Sequence, residues 1–156
     1  MIDDDRRALL EGPSSLIVGT VADDLLPDAA RGWGAHLDAD ARELRLLLSP
    51  SATTSIENLR TTGVIAVTAT EFHTLESVQV KGRVTAIEDV TDDDRARFTA
   101  FCDGVVAAVS EIDRLPPAVV RTMLPEAIVA CVVAVDEMFD QTPGPSAGAR
   151  LTRAGT

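Results

Sequence analysis

Apolar and polar residues alternate in several segments of the chain, and this pattern predicts β-strands. Between residues 43 and 49 a leucine occupies every second position, so the predicted strand has one entirely apolar face. Further strands are predicted at Leu16–Val21, Asp28–Leu37, Val64–Thr70, Ser77–Glu88 and Glu126–Phe139. Most of these segments are separated by short turns, which is typical of antiparallel, hairpin-linked strands.

Helical spacing of apolar residues appears between the predicted strands and at the start of the chain. The longest predicted helix is Thr91–Val109, where Thr91 and Asp94 form a capping signature ahead of an apolar stripe. Shorter helices are predicted at Asp3–Glu11, before Gly63 and after Pro116. The sequence therefore predicts a mainly β fold with inserted helices, a small antiparallel barrel or sandwich.

A hydroxyl-rich turn precedes the short helix that ends at Gly63. Its side chains are those of Ser51, Thr53, Thr54 and Ser55. Free backbone N–H groups at a helix start, together with hydroxyl donors, suit a phosphate group. Thr54 and Glu57 can instead form a capping box that binds nothing, and the residue types alone favour this second interpretation.

The predicted strand Asp28–Leu37 is rich in glycine and alanine. Arg31 and Trp33 are predicted to project from it on one face. A flat ligand lying against small residues, with an arginine for its charge, explains the pattern, and a β-bulge or a tightly curved barrel strand explains it equally well.

The predicted strand Ser77–Glu88 carries Gln79, Lys81 and Arg83 on one face. Such a face can meet an anionic ligand or a partner subunit. It can also be the solvated face of an antiparallel sheet, which is the commoner case.

Composition excludes several classes of protein. The chain has 156 residues and a formal net charge of −11, which argues against nucleic-acid binding. The N-terminal segment has acidic residues where a signal peptide has basic ones, and no apolar run is long enough to cross a membrane, so we expect a cytoplasmic protein. Cys102 and Cys131 are predicted to be buried thiols, and no metal site is predicted. We expect one domain over residues 1–141, followed by a Pro/Gly-rich tail over residues 142–156.

Four segments, taken in order, resemble the pyridoxamine 5'-phosphate oxidase-like family. They are SSLIVGTVADDLLPDAARGWGAHLD, ELRLLLSPSATTSIENLRTTGVIAVT, ESVQVKGRVTAIED and EMFDQTPGPSAG. The resemblance implies an FMN-binding split barrel, a small antiparallel β-barrel in which FMN lies at a homodimer interface. It also implies an oxidoreductase that acts on a small-molecule substrate.

The resemblance assigns site residues by position. Arg31 falls where a phosphate-binding arginine is expected, Thr53 falls near the serine of the turn, and Ser55 stands where many members have lysine. The implied cofactor-binding set is Arg31, Gly32, Trp33, Ser49, Ser51, Thr53, Thr54, Ser55, Gln79 and Lys81. Because the lysine is replaced, three alternatives stay open beside an FMN-dependent oxidoreductase: an F420-binding relative, a flavin-storing module and a flavin-free module.

Overall fold

The computed structural model describes residues 2–151. Within this range the strands are β1 (Ser15–Val21), β2 (Pro27–Leu37), β3 (Glu43–Leu48), β4 (Val64–Thr70), β5 (Ser77–Glu88), β6 (Val129–Asp140) and β7 (Arg150–Leu151). The helices are α1 (Asp4–Glu11), α2 (Thr53–Thr61), α3 (Asp92–Asp113) and α4 (Pro117–Arg121). No helix among residues 2–151 is long and apolar enough to cross a membrane.

Strands β1 to β6 close into an antiparallel barrel. The strand order is β3-β2-β1-β4-β5-β6, and pairing of β3 with β6 joins the two ends of the sheet. Strand β6 pairs with β3 only over residues 129–134, while its other end pairs with β7. The predicted split β-barrel with inserted helices is confirmed.

Aliphatic side chains fill the barrel, as the alternation in the sequence predicted. Each strand contributes every second residue, so buried positions alternate with exposed or half-buried ones along β1 and β4. The fully buried residues of this core include Leu16, Val18, Leu44, Leu46, Leu48, Val67, Val78 and Val80.

Helix α3 is fixed to the barrel by a buried ion pair. The guanidinium of Arg45 on β3 donates to both carboxylate oxygens of Asp94 at 2.7 Å. Asp94 also closes a capping box with Thr91, which confirms the predicted signature. The hydrogen bonds from Arg45 and Thr91 lower the pKa of Asp94 to about 2, although burial opposes this change.

A β-bulge in β2 separates two side chains that the sequence placed on one face. Gly32 pairs with Leu48 and Ala35 with Leu46, so β2 contains one extra residue between these pairs. Gly34 lies in the bulge with a φ of 141°, a conformation that L side chains rarely adopt. Arg31 stays exposed, whereas Trp33 is buried in the core. The predicted shared face of Arg31 and Trp33 is therefore wrong, and the bulge interpretation is the one observed.

The described part of the predicted tail folds back onto the sheet. The N–H of Gly148 donates to the carbonyl of Asp140 at 2.7 Å, and β7 follows as a short partner of β6. Asp140 also accepts from Arg6 of α1 at 2.8 Å. The residues after Asp140 thus cover part of the edge of β6 that β3 leaves open.

Candidate functional site on the barrel surface

The outward side chains of four neighbouring strands form one continuous surface, which we call the outer face. The register places Arg31 beside Ile17, Ile17 beside Thr68, and Thr68 beside Gln79. A second row follows two residues along each strand and consists of Ala29, Gly19, Ala66 and Lys81. The middle of this second row is made of small residues, so a ligand can approach the backbone of β1 and β4 closely.

A depression of about 400 Å³ lies at one side of the outer face. Gly19 and Ala66 contribute to its lining, together with the cationic residues Lys81 and Arg83. Asp136 and Glu137 line the β6 side. The outer face therefore combines a small-residue surface with charged groups at its border.

Lys81 is the only lysine of the sequence. It is exposed, and its Nζ lies 4.8 Å from the centroid of the Phe139 ring. Neighbouring Gln79 donates to Thr68 at 2.9 Å and accepts from Gln141 at 3.3 Å. Gln79 is therefore held in place, while Lys81 makes no ion pair with any residue that the structure describes.

The turn between β3 and α2 reaches the same surface beside Arg31. Leu48 pairs with Gly32, so Ser49 leaves the sheet next to Arg31. The hydroxyls of Ser49 and Ser51 lie 2.7 Å apart. Arg31 is exposed, and its side chain has no hydrogen bond or ion pair within the described part of the chain. Its guanidinium is thus available to an anion at this turn.

Helix α2 begins without a side-chain cap. Its N-cap residue is Ala52, and no side chain bonds to the first turn. The first backbone N–H that donates within the helix is that of Ile56, which bonds to Ala52 at 2.9 Å. The alternative interpretation of Thr54 and Glu57 as a capping box is therefore wrong. Exposed Thr53 and Thr54 leave N–H donors and hydroxyls at the helix start.

Ser55 occupies a different environment from the rest of the predicted set. Its side chain is fully buried, and its hydroxyl donates to Asp28 at 2.6 Å. Asp28 pairs in register with Thr20, a buried residue on the inner side of β1. Arg31 lies three residues further along β2 and points outward. The structure therefore does not bring the Ser55 hydroxyl together with Arg31, and the predicted role of this hydroxyl in binding phosphate is not supported.

Gly32 and Trp33, which follow Arg31 in β2 and in the predicted set, do not belong to the outer face. A Cβ on Gly32 would lie 2.6 Å from the side chain of Leu16, so this position faces the core. Trp33 is buried as well. The outer face thus gathers Arg31, Gln79 and Lys81, and the turn adds Ser49, Ser51, Thr53 and Thr54.

Sequence reasoning missed two groups of this region. Asp28 fixes Ser55, and these two residues are 27 positions apart, so no local pattern relates them. Phe139 contacts Lys81 across the pair of strands β5 and β6. This contact depends on the register of the two strands, which the alternation of residues in β6 does not predict. The single lysine was a signal available from the sequence.

The side chains of the outer face can bind and orient a ligand. His36 lies near Glu11, and His73 lies near Glu71 in the β4–β5 turn, so neither histidine belongs to this surface. The described residues of the face therefore offer cationic, amide and hydroxyl donors rather than a nucleophile with an adjacent base.

No model of a known protein family matches the chain, and no curated protein matches it in sequence. Solved structures do match it in fold. HupZ of Group A Streptococcus has a TM-score of 0.58 at 17% identity, covering 95% of this chain and 100% of that chain. An F420 reductase has a TM-score of 0.56 at 17% identity, covering 88% and 98% of the two chains.

An FMN-binding protein from Syntrophomonas wolfei subsp. wolfei has a TM-score of 0.53 at 13% identity, covering 85% of this chain and 81% of that chain. Identities this low show a common fold rather than a common activity. Similar structures also include a pyridoxinephosphate oxidase family protein from Clostridium acetobutylicum. This chain has the split-barrel fold of the pyridoxamine 5'-phosphate oxidase-like proteins.

Proposed function

We propose that the chain binds FMN on the outer face and acts as a flavin-dependent oxidoreductase. The observation that carries the proposal is the position of Arg31. It lies without a partner beside the uncapped start of α2, at one end of a surface lined by small residues. The flavin would supply the electron transfer, and the protein would bind it, orient it and exclude water from it.

The donors at the turn fit a phosphate group. A phosphate monoester carries close to two negative charges at pH 7. Arg31 can meet it with two parallel N–H donors, a charge-assisted interaction that contributes about 1.5–3 kcal/mol. The dipole of α2 adds about 0.3–1 kcal/mol, and Thr53 and Thr54 add hydroxyl donors. These local interactions have to outweigh the net charge of −11.

The rest of the outer face fits a flat ring system. Three strand spacings, about 14 Å, separate Arg31 from Gln79. Gly19 and Ala66 lie in the adjacent row, between Ala29 and Lys81, and leave that part of the surface without long side chains, while Gln79 and Lys81 place an amide and a cation at the far end of the two rows. An anion held by Arg31 and a ring held near Lys81 can therefore belong to the same ligand.

A second copy of the chain would complete this site. Ile17 and Val64, which lie on or beside the outer face, are 39% and 37% exposed, and a ligand between two copies would cover both. Closed two-fold dimers are the commonest assemblies of identical chains. We infer a homodimer, for which light scattering at micromolar concentration is the test, and a monomer mass would contradict it.

The buried free thiols of Cys102 and Cys131 suit a cytoplasmic location.

Arg31→Ala tests the phosphate site. We expect FMN affinity to fall by about tenfold or more, the equivalent of 1.4 kcal/mol, in a fluorescence titration. Arg97→Ala is the matched control, because Arg97 is an exposed arginine on α3, away from the outer face. The control removes the same charge and should leave affinity within about twofold of the parent.

The same titration with F420 and with no added cofactor separates the alternatives. Binding of F420 but not of FMN by the parent protein would favour an F420-binding relative. Binding of FMN without reduction by any tested donor would favour a flavin-storing module, and binding of neither would favour a flavin-free one. Equal FMN affinity in Arg31→Ala and the parent would show that the phosphate lies elsewhere.

A further inference from the structure

Lys81 and Arg150 lie on the two sides of β6, and each contacts a β6 residue other than its direct cross-strand neighbour. Lys81 of β5 is the direct cross-strand neighbour of Glu137, and Arg150 of β7 is the direct neighbour of Phe139. Directly opposed residues of opposite charge normally pair. Here the contacts are diagonal instead. Arg150 binds Glu137 at 2.9 Å, and Lys81 lies over the Phe139 ring.

This arrangement leaves Lys81, and not Arg150, without a carboxylate partner among the residues that the structure describes. Glu137 lines the depression beside Lys81 and is the carboxylate best placed to neutralise it. Its ion pair with Arg150 takes up that carboxylate from the opposite side. The ring of Phe139 then holds the ammonium by a cation–π contact, which leaves the charge open to solvent on its other side.

We propose that Arg150 is a positioning residue of the outer-face site, holding Glu137 away from Lys81 so that the only lysine stays available to an anionic or electron-rich group of the ligand. This inference rests on the proposed function, because it takes the outer face as the binding surface. It gives a role to the segment after Asp140, which the sequence alone described only as a tail. That segment carries no ligand-binding group in this proposal and acts through Glu137.

The test compares Arg150→Gln, Glu137→Gln and the double variant with the parent. In Arg150→Gln the released carboxylate turns to Lys81 and pairs with its ammonium, which lowers the reactivity of the amine. We expect labelling of Lys81 by trinitrobenzenesulfonate to slow by about two- to fivefold, the range of an exposed ion pair. Peptide mapping separates Lys81 from the N-terminal amine. FMN affinity should fall by a similar factor.

Rescue distinguishes the specific contact from a general change of charge. Arg150→Gln with Glu137→Gln should restore both labelling and affinity, whereas Arg150→Gln with Glu126→Gln should not, because exposed Glu126 precedes β6 and lies outside the depression. Unchanged labelling in Arg150→Gln, or equal rescue by both double variants, would overturn the proposal. Labelling needs no cofactor, so a parent that fails to bind FMN would refute the proposed function while the labelling rates still decide the role of Arg150.

Discussion

Replacing Asp94 by alanine should destabilise the protein by about 3 kcal/mol. Asp94 is 3% exposed at its side chain and accepts two hydrogen bonds from Arg45 and one from the N–H of Thr91. A carboxylate whose pKa falls from 3.8 to about 2 contributes about 2–3 kcal/mol at neutral pH. This figure already includes the hydrogen bond from Thr91, and Glu88, which keeps its contact with Arg45, limits the cost of leaving that charge unpaired.

Urea denaturation followed by circular dichroism measures this change in the free energy of unfolding. Asp93→Ala is the control, since Asp93 lies in the same first turn and is exposed. Both variants lose a favourable charge at the start of α3, worth about 0.3–1 kcal/mol, so the difference between them isolates the contacts of Asp94.

The pH dependence gives a second readout with a definite sign. Because the pKa of Asp94 is lower in the folded state, its contribution is complete above pH 4 and disappears as the pH falls toward 2. The gap in unfolding free energy between the parent and Asp94→Ala should therefore narrow over this interval. A gap below about 0.5 kcal/mol at pH 7, or one that stays constant down to pH 3, would refute the assigned role of the ion pair.

Two further substitutions test the backbone and the packing near the site. Gly82→Ala should destabilise the barrel by more than about 2 kcal/mol, because its Cβ would lie 2.1 Å from the carbonyl oxygen of Ala134. Gly19→Ala is the control in the same urea titration, since the nearest atom to its Cβ would be 3.9 Å away. Ser55→Ala should cost about 1–2 kcal/mol through its lost bond to Asp28, yet change FMN affinity less than Arg31→Ala does. An affinity loss in Ser55→Ala equal to that in Arg31→Ala would place Ser55 at the ligand.

The strands were predictable because a half-buried strand repeats its burial every two residues. The bounds of β5 match the predicted Ser77–Glu88, and its Val78 and Val80 are buried while Lys81 is exposed. The capping box of α3 was predictable for the same local reason, since Thr91 and Asp94 are three residues apart. Features that depend on sequence neighbours were thus available from the sequence.

Features that depend on tertiary contacts were not available. Ser55 and Thr54 are adjacent and chemically alike, yet one is fully buried against Asp28 and the other is exposed. Gly34 allowed a bulge or a close ligand approach equally, and only the pairing of β2 with β3 decided between them. Strand β7 was not predicted because it is two residues long and follows a proline- and glycine-rich segment whose composition indicates no strand.

The bulge in β2 also has a consequence for how this strand can change in evolution. Before the bulge, outward residues such as Ala29 and Arg31 belong to the outer face, while after it Trp33 and Ala35 belong to the interior. Substitutions at the outward positions Ala29 and Arg31 should therefore change the outer face with little effect on the core, whereas substitutions at Trp33 and Ala35 should change the core and leave the outer face in place. Deleting Gly34 would restore regular alternation between Gly32 and Ala35, which keeps Ala35 opposite Leu46 and turns Trp33 toward the outer side of the sheet. The extra residue in β2 thus allows the outward positions of this strand and its interior positions to change independently of each other.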